Sequence, residues 1–239
     1  MNTARRMTCA AVGLPAAFAL GCLPSARIVS RFMGAGDIET AGDRKPGAAN
    51  VARTLGWGPG ALTLAADIAK GAGPAVLARR CGAGPGLTGA FAAAPVVGHV
   101  GVVGGRGAAT ALGAALAIDR SATALVLPAV IGGALLRRAA LGAMVAALGL
   151  PLVGLALGRR GTAAWCATLP AMLAYARLRG DDGSAGPLTA RVAWERFWYD
   201  REPCEADDGG AAAAGAAAVT VAPVAGRTAD DTCETEEAR

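Results

Sequence analysis

The sequence predicts an all-α, polytopic bundle of transmembrane helices, with about seven spans and a long loop after the first span. Hydrophobic residues fill 54% of the 239 positions and the mean hydropathy is +0.42, whereas only 17% of residues are charged. The charged residues cluster between apolar runs, which is typical of a membrane protein and not of a soluble domain. Alanine and glycine dominate the runs, and such small residues allow helix backbones to approach closely in lipid.

Seven apolar segments are the candidate spans. In chain order they cover residues 7–29, 55–78, 86–103, 108–118, 121–136, 139–158 and 162–176. The fourth and fifth are short, because a helix needs about 20 residues to cross a membrane, so six spans is the alternative. The first segment follows a basic start and competes with a signal peptide. Its length and the lack of a small-residue cleavage pattern favour an uncleaved span.

The stretches outside the spans differ in character. Residues 30–54 form the longest polar segment between spans, and we expect this loop to carry function because it is not of low complexity. Residues 181–204 hold three aromatic side chains at helical spacing, Trp194, Phe197 and Trp198. That spacing predicts a short amphipathic helix, which lies on the membrane surface or covers one face of the bundle. We expect the Ala/Gly-rich, acidic tail 205–239 to be disordered, and residues 1–180 to form the transmembrane domain.

The basic residues indicate orientation and partner class. They occur as short pairs at segment ends, such as Arg79-Arg80 and Arg137-Arg138, which fits charges that flank a membrane. The net charge of +5 comes without a basic stripe or interleaved aromatic residues, so we expect no nucleic-acid partner. With seven spans, loop 30–54 and the turn 104–107 share the side that carries slightly more Lys and Arg. The positive-inside rule places that side in the cytoplasm.

The stretch 98–110 is the candidate functional turn. It joins two apolar segments through the Gly-Gly-Arg-Gly sequence 104–107, which includes Arg106, and it contains His99, the one histidine of the sequence. Backbone N–H groups left free by glycine, next to a fixed cation, form a natural site for a phosphate group. The Gly-Lys-Ser/Thr of a nucleotide-binding P-loop does not follow. The sequence therefore predicts a phosphate-binding turn at a membrane surface.

Two other groups of polar residues bear on function. Asp67 and Lys70 lie within a span at i, i+3 spacing, which puts them on one helix face as an ion pair. Charges inside a membrane indicate either a functional site or a structural ion pair between helices, and both interpretations stay open. The six cysteines form no Cys-x-x-Cys pair, and the histidine is not near enough to complete a zinc site with them, so we expect no metal site. We also expect no cofactor.

Several short motifs occur in a fixed order in the first half of the chain. They are Gly-Cys-Leu-Pro-Ser-Ala at 21–26, Gly-Asp-Ile at 36–38, Gly-Ala-Ala-Asn-Val-Ala-Arg at 47–53, Asp-Ile-Ala-Lys-Gly at 67–71, and the glycine turn within 98–110. Their order and spacing resemble the bacterial acyl-phosphate:glycerol-3-phosphate acyltransferase (PlsY) family. The resemblance covers residues 15–115 well. It implies a seven-span inner-membrane enzyme that acylates glycerol 3-phosphate in the first step of phospholipid synthesis.

The sequence departs from the family pattern at several positions. Asp-Arg-Lys at 43–45 replaces the Ser-Gly-Asn of the first family motif, and Arg106 stands where the family usually has lysine. The third family motif, a His/Arg/Glu/Asn cluster after the last span, is not recognisable; Arg177 and Arg179 stand there instead. The carboxylate of Asp43 would repel phosphate unless Arg44 or Arg53 neutralises it.

The resemblance implies a site for two phosphate-bearing substrates. Arg53 and Arg106 are the expected catalytic cations because a guanidinium holds phosphate through two hydrogen bonds, with anchoring to lipid headgroups as the alternative. His99 is a candidate general base, with a hydrogen-bonded packing histidine as the alternative. Asn50 either donates to substrate or caps its loop. The expected substrate-binding residues are Lys45, Gly47, Asn50, Gly104, Gly105 and Gly107.

The predicted function follows from these parts. The resemblance implies a membrane acyltransferase that transfers an acyl group from acyl phosphate to glycerol 3-phosphate and releases lysophosphatidate. It implies a bacterial inner (plasma) membrane location, with the motif loops in the cytoplasm and membrane lipid as the surroundings. We expect Arg53→Ala and Arg106→Ala each to abolish transfer. The alternative is a catalytically inactive membrane relative that binds lipid or a membrane-protein partner, as Asp43 and the missing third motif would suggest.

Overall fold

The computed structural model describes residues 3–179 and 188–200, with side chains from Ala10 onward. Within these ranges the regular structure is helical, which confirms the predicted fold class. The helices are α1 (Thr3–Gly21), α2 (Ser25–Phe32), α3 (Ala48–Leu55), α4 (Trp57–Arg80), α5 (Pro85–Gly98), α6 (Ala108–Ile118), α7 (Arg120–Leu135), α8 (Ala139–Ala156), α9 (Arg160–Cys166), α10 (Thr168–Leu178) and α11 (Ala190–Tyr199).

Three helical segments of the described chain are long and apolar enough to cross a membrane: α4, Pro85–Val103 and α8. The bent pair α1 and α2 makes a fourth if it counts as one span. Helices α6 and α7 are apolar but shorter; α6, with 11 residues, rises only about 17 Å at 1.5 Å per residue. The last predicted segment, 162–176, is divided between α9 and α10. The count of seven spans stays a prediction.

The first predicted span, 7–29, is not one straight helix. Helix α1 ends at Gly21 and α2 begins at Ser25, with a bend of 50° between them. Pro24 lies at this break, and proline has no amide hydrogen for the helical ladder and its ring clashes with the preceding turn. The polar stretch 30–54 also differs from a simple loop. It contains the end of α2, a 3-10 turn at Ile38–Thr40 and most of α3.

Close backbone approach holds the helices together, as the small-residue composition predicts. A Cβ added at Gly71 of α4 would collide with the Thr110 carbonyl of α6, and one at Gly21 of α1 would collide with Pro95 of α5. The central buried cluster includes residues of the helices from α4 to α10, such as Val96 and Leu173, and Phe197 and Trp198 of α11 pack against it. The core is therefore made mainly of alanine and aliphatic contacts between neighbouring helices.

Polar contacts divide the bundle into two ends. At one end, Arg79 donates to the Ala117 carbonyl at 2.8 Å, and Arg159 pairs with Asp119 at 2.5 Å. Burial raises the pKa of the Asp119 carboxyl, but hydrogen bonds from Arg159 and from backbone amides outweigh it, so the pKa lies below its usual range. At the other end lie the segment 41–50, the turn 104–107 and the C-terminal end of α11. This second end holds the candidate site.

Candidate functional site

The turn between α5 and α6 is shaped by its glycines. Helix α5 continues as a π-helical turn over His99–Val103 and stops at Gly104, whose φ of 81° is left-handed; Gly107 has a φ of 74°. Such φ values cost little for glycine and are strained for most other residues. Among the described residues no side chain caps the start of α6. The first amides of α6 therefore face the loop, with Arg106 just before them.

A buried polar network lies beneath this turn. Lys70 pairs with Asp67 at 2.8 Å, as the i, i+3 spacing predicts, and its Nζ lies 2.8 Å from Nδ1 of His99. The same ammonium donates to the Leu23 carbonyl at 2.9 Å and to Ser25 Oγ at 3.3 Å. Because these partners lie on α4, in the π-helical turn that continues α5, and around the break between α1 and α2, the network connects three parts of the bundle at one point.

His99 also determines where the glycine turn lies. His99 is 4% exposed, and a Cβ added at Gly105 would collide with Nε2 of its ring. An ammonium can only donate, so Nδ1 accepts from Lys70 and the ring hydrogen of a neutral imidazole falls on Nε2, facing Gly105. The packing alternative for His99 fits this geometry, because Nδ1 contacts Lys70 and Nε2 lies against Gly105; its role as a general base stays a prediction.

Asn50 organises the segment 41–50. Its side chain is 1% exposed, and its amide nitrogen donates to the carbonyls of Ile38, Ala41 and Lys45 at 3.0 to 3.1 Å. Its amide oxygen accepts from the backbone of Asp43 at 3.0 Å. Since every polar atom of the side chain is used within the loop, the loop-capping interpretation fits these contacts. Asn50 therefore fixes the backbone next to Lys45, and its contact with substrate stays a prediction.

Arg53 neutralises Asp43, the carboxylate that departs from the family pattern. The two side chains form an ion pair, with Arg53 60% and Asp43 34% exposed. The Asp43 carboxylate also accepts from the backbone of Lys45 at 3.3 Å. Arg53 thus lies at the rim of the site, while Gly47 begins α3 in an extended conformation without a side-chain cap among the described residues.

Lys45 and Arg106 converge on one carboxylate. The Asp200 oxygen Oδ1 lies 2.6 Å from Nε of Arg106, and Oδ2 lies 3.3 Å from Nζ of Lys45. Arg106 also donates to the Ala176 carbonyl at 2.7 Å. The structure therefore brings the loop before α3, the turn before α6 and the end of α11 to one place. Through the Asp43 contacts, Arg53 belongs to the same end of the bundle.

Sequence reasoning gave no role to two residues near this place. Arg179 approaches the turn, since its guanidinium nitrogen would lie 3.6 Å from a Cβ added at Gly104. Asp200 ends α11 with a φ of 54°. The Arg-Leu-Arg sequence after the last span was the available signal for Arg179. No sequence pattern indicates Asp200, because it meets Lys45 and Arg106 through contacts between distant parts of the chain.

Comparison with known proteins identifies the family. The family model described as glycerol-3-phosphate acyltransferase matches residues 11–181, well over half of the chain. The chain belongs to this family. The resemblance seen in the sequence motifs is thereby confirmed, and the match includes all the motif segments as well as Lys45, Arg53, His99 and Arg106.

Individual members of the family are similar over most of their own length. A glycerol-3-phosphate acyltransferase of Endomicrobium trichonymphae is 38% identical over 58% of this chain and 72% of its own. One from Thermus thermophilus is 34% identical over 64% of this chain and 79% of its own. The crystal structure of PlsY (YgiH), an integral membrane glycerol 3-phosphate acyltransferase in its glycerol 3-phosphate form, matches with a TM-score of 0.65. It is 26% identical, over 70% of this chain and 88% of that one.

Proposed function

We propose that this protein is a membrane acyltransferase that transfers an acyl group from acyl phosphate to glycerol 3-phosphate and forms lysophosphatidate. The chain belongs to the glycerol-3-phosphate acyltransferase family, and its fold is similar to an integral membrane member of it. These similarities support glycerol 3-phosphate as the acceptor and lipid as the environment, and they do not favour the inactive-relative alternative. The acyl phosphate donor and the bacterial inner-membrane location, with the site end cytoplasmic, are part of the proposal.

One observation carries the proposal: Lys45 and Arg106 face the same point from two different helix starts. Both side chains are largely buried. Lys45 precedes α3 and Arg106 precedes α6, and a glycine stands directly before each helix. Cations and free backbone amides are the groups that hold phosphate oxygens. A site of this kind fits glycerol 3-phosphate and acyl phosphate, both of which carry a phosphate group. Nothing in this arrangement points to nucleic acid as a partner.

The chemistry needs charge stabilisation more than it needs a protein base. The glycerol hydroxyl oxygen forms a bond to the acyl carbonyl carbon, the bond from that carbon to phosphate oxygen breaks, and inorganic phosphate leaves with the bonding electron pair. The hydroxyl proton passes to a phosphate oxygen of the substrates, as the family resemblance implies. Arg106 and Lys45 reduce the repulsion between the two anions and stabilise the departing phosphate.

The remaining site residues act by positioning. His99, held by Lys70, supports Gly105 from beneath and so fixes the turn that carries Arg106. Asn50 fixes the loop that carries Lys45. Arg53 keeps Asp43 neutralised at the rim. We therefore replace the complete loss expected from the sequence alone with a smaller one: replacement of Arg53 should weaken transfer less than replacement of Arg106.

A transfer assay on the purified full-length protein in detergent tests the proposal. Lysophosphatidate formation is measured from glycerol 3-phosphate with either acyl phosphate or an acyl thioester as donor. The proposal expects product with acyl phosphate and little with the thioester, and a strong loss in Arg106→Ala. Product from the thioester alone would overturn the donor assignment. No product from either donor, in protein that is folded and monodisperse, would favour the inactive relative.

A further inference from the structure

The Asp200 carboxylate lies between Lys45 and Arg106, the two cations that the proposed function assigns to the phosphate group. One of its oxygens contacts Arg106 and the other contacts Lys45, and the Lys45 ammonium also donates to the Asp200 backbone carbonyl. The Asp200 side chain is only 15% exposed. A carboxylate shared in this way between two cations uses the same contacts that two phosphate oxygens would use.

Helix α11 is docked so that Asp200 arrives at this point. Arg177, 2% exposed, donates to the Phe197 carbonyl at 2.6 Å. Phe197 and Trp198 pack against the central core cluster, and the guanidinium of Arg138 lies 5.8 Å from the centre of the Tyr199 ring. These contacts set the last turn of α11 in place independently of the Asp200 ion pairs. The packing of α11 therefore determines the position of the Asp200 carboxylate, unlike that of a carboxylate on a freely rotating surface side chain.

The two cations lie inside the part of the chain that the family model matches, and the carboxylate lies outside it. Lys45 and Arg106 lie within residues 11–181, which the family model matches, whereas α11 and Asp200 lie beyond them. A segment outside the shared region thus supplies an anion to cations inside it.

We propose that Asp200 is an intramolecular competitor for glycerol 3-phosphate. The identity of the ligand rests on the proposed function; the competition rests on the contacts of Asp200. Glycerol 3-phosphate binds after the carboxylate leaves Lys45 and Arg106, so its apparent Kd is the intrinsic Kd divided by the fraction of molecules with the site open. If that fraction is about one tenth, the apparent Kd is raised about tenfold. Asp200 thereby sets the glycerol 3-phosphate concentration at which the enzyme works.

Binding of glycerol 3-phosphate to the full-length protein in detergent, without donor, tests this directly. Asp200→Asn removes the charge and keeps the shape, and asparagine tolerates the positive φ of this position. Asp200→Gly is the second variant, since glycine adopts that φ without strain. Both are expected to bind glycerol 3-phosphate about tenfold more tightly in titration calorimetry, with KM lowered in parallel. Asp37→Asn, an exposed carboxylate that caps the 3-10 turn, is the charge-matched control and is expected to bind as the wild type does.

Unchanged or weaker binding of glycerol 3-phosphate in both Asp200 variants would overturn the proposed competition. The absence of detectable binding in every variant would overturn it too. The outcome separates this inference from the proposed function. Tighter binding by the Asp200 variants, with no transfer by any form, would support the competition and refute the acyltransferase activity. Normal transfer by the wild type, with the Asp200 variants unchanged in Kd and KM, would refute only the competition.

Discussion

Arg106 is the residue on which the proposed chemistry depends most. Its Nε lies 2.6 Å from the Asp200 carboxylate, at the position that we propose for the phosphate, and its side chain is largely buried just before α6. We expect Arg106→Ala to remove one preorganised charged donor from the departing phosphate. Loss of one such donor costs roughly 3 kcal/mol of transition-state stabilisation, which lowers kcat/KM by about 10² to 10³.

The substitution also affects the fold, and the assay has to separate the two effects. The hydrogen bond from Arg106 to the Ala176 carbonyl ties the turn to α10; losing a bond from a charged group costs about 1.5 to 3 kcal/mol of stability. Arg106→Lys keeps the positive charge and introduces lysine, which the family usually has at this position. We therefore expect kcat/KM within about tenfold of the wild type. Arg80→Ala removes an exposed arginine from the opposite end and is expected to leave transfer unchanged.

Lysophosphatidate formation is measured for all three variants in detergent, with thermal unfolding midpoints determined on the same preparations. A kcat/KM for Arg106→Ala within threefold of the wild type would refute the assignment of Arg106 to the phosphate site. A loss that follows the unfolding midpoint and disappears at lower temperature would also refute it, because the effect would then be one of stability.

Three further predictions concern positioning and stability. Asn50→Ala leaves three carbonyls without their donor, so the unfolding midpoint should fall by the equivalent of about 3 kcal/mol, and the KM for glycerol 3-phosphate should rise; an unchanged midpoint would contradict this. Gly105→Ala forces a Cβ against His99 at a cost of about 1 to 3 kcal/mol and should reduce transfer, whereas Gly101→Ala, with open space around it, should not. The pKa of Asp119 is lowered in the folded protein, so its ionised carboxylate stabilises the fold. This stabilisation is fully present above the unfolded pKa of about 4 and is lost as pH falls through the folded pKa. Acid should therefore lower the midpoint of the wild type more than that of Asp119→Asn, and parallel curves would refute the role of this carboxylate.

The fold class and the glycine turn could be predicted because they depend on local patterns. Apolar runs predict helices in lipid, and glycine next to Arg106 predicts a turn with free amides whatever surrounds it. The i, i+3 spacing of Asp67 and Lys70 likewise fixes their pairing, which the structure confirms at 2.8 Å. Each of these inferences needs only residues that are close in sequence.

The contacts that decide each residue's role could not be predicted in the same way. The chain reverses several times between Lys45, Arg106 and Asp200, so no spacing reports that they meet. The same limit applies to Asn50, whose side chain forms its hydrogen bonds within its own loop, and to His99, whose ring faces Lys70 and Gly105. The break at residues 22–24 could not be predicted from hydropathy, because the mean hydropathy of a span does not report where the helix within it bends.

The central claim is that the phosphate of glycerol 3-phosphate is held between Lys45 and Arg106. An experimental structure of the full-length protein with glycerol 3-phosphate bound tests it most directly. We predict phosphate oxygens within hydrogen-bond distance of the Lys45 ammonium and the Arg106 guanidinium, with the Asp200 carboxylate displaced from both. Phosphate bound elsewhere in the bundle, with Asp200 still between these two cations, would contradict the account.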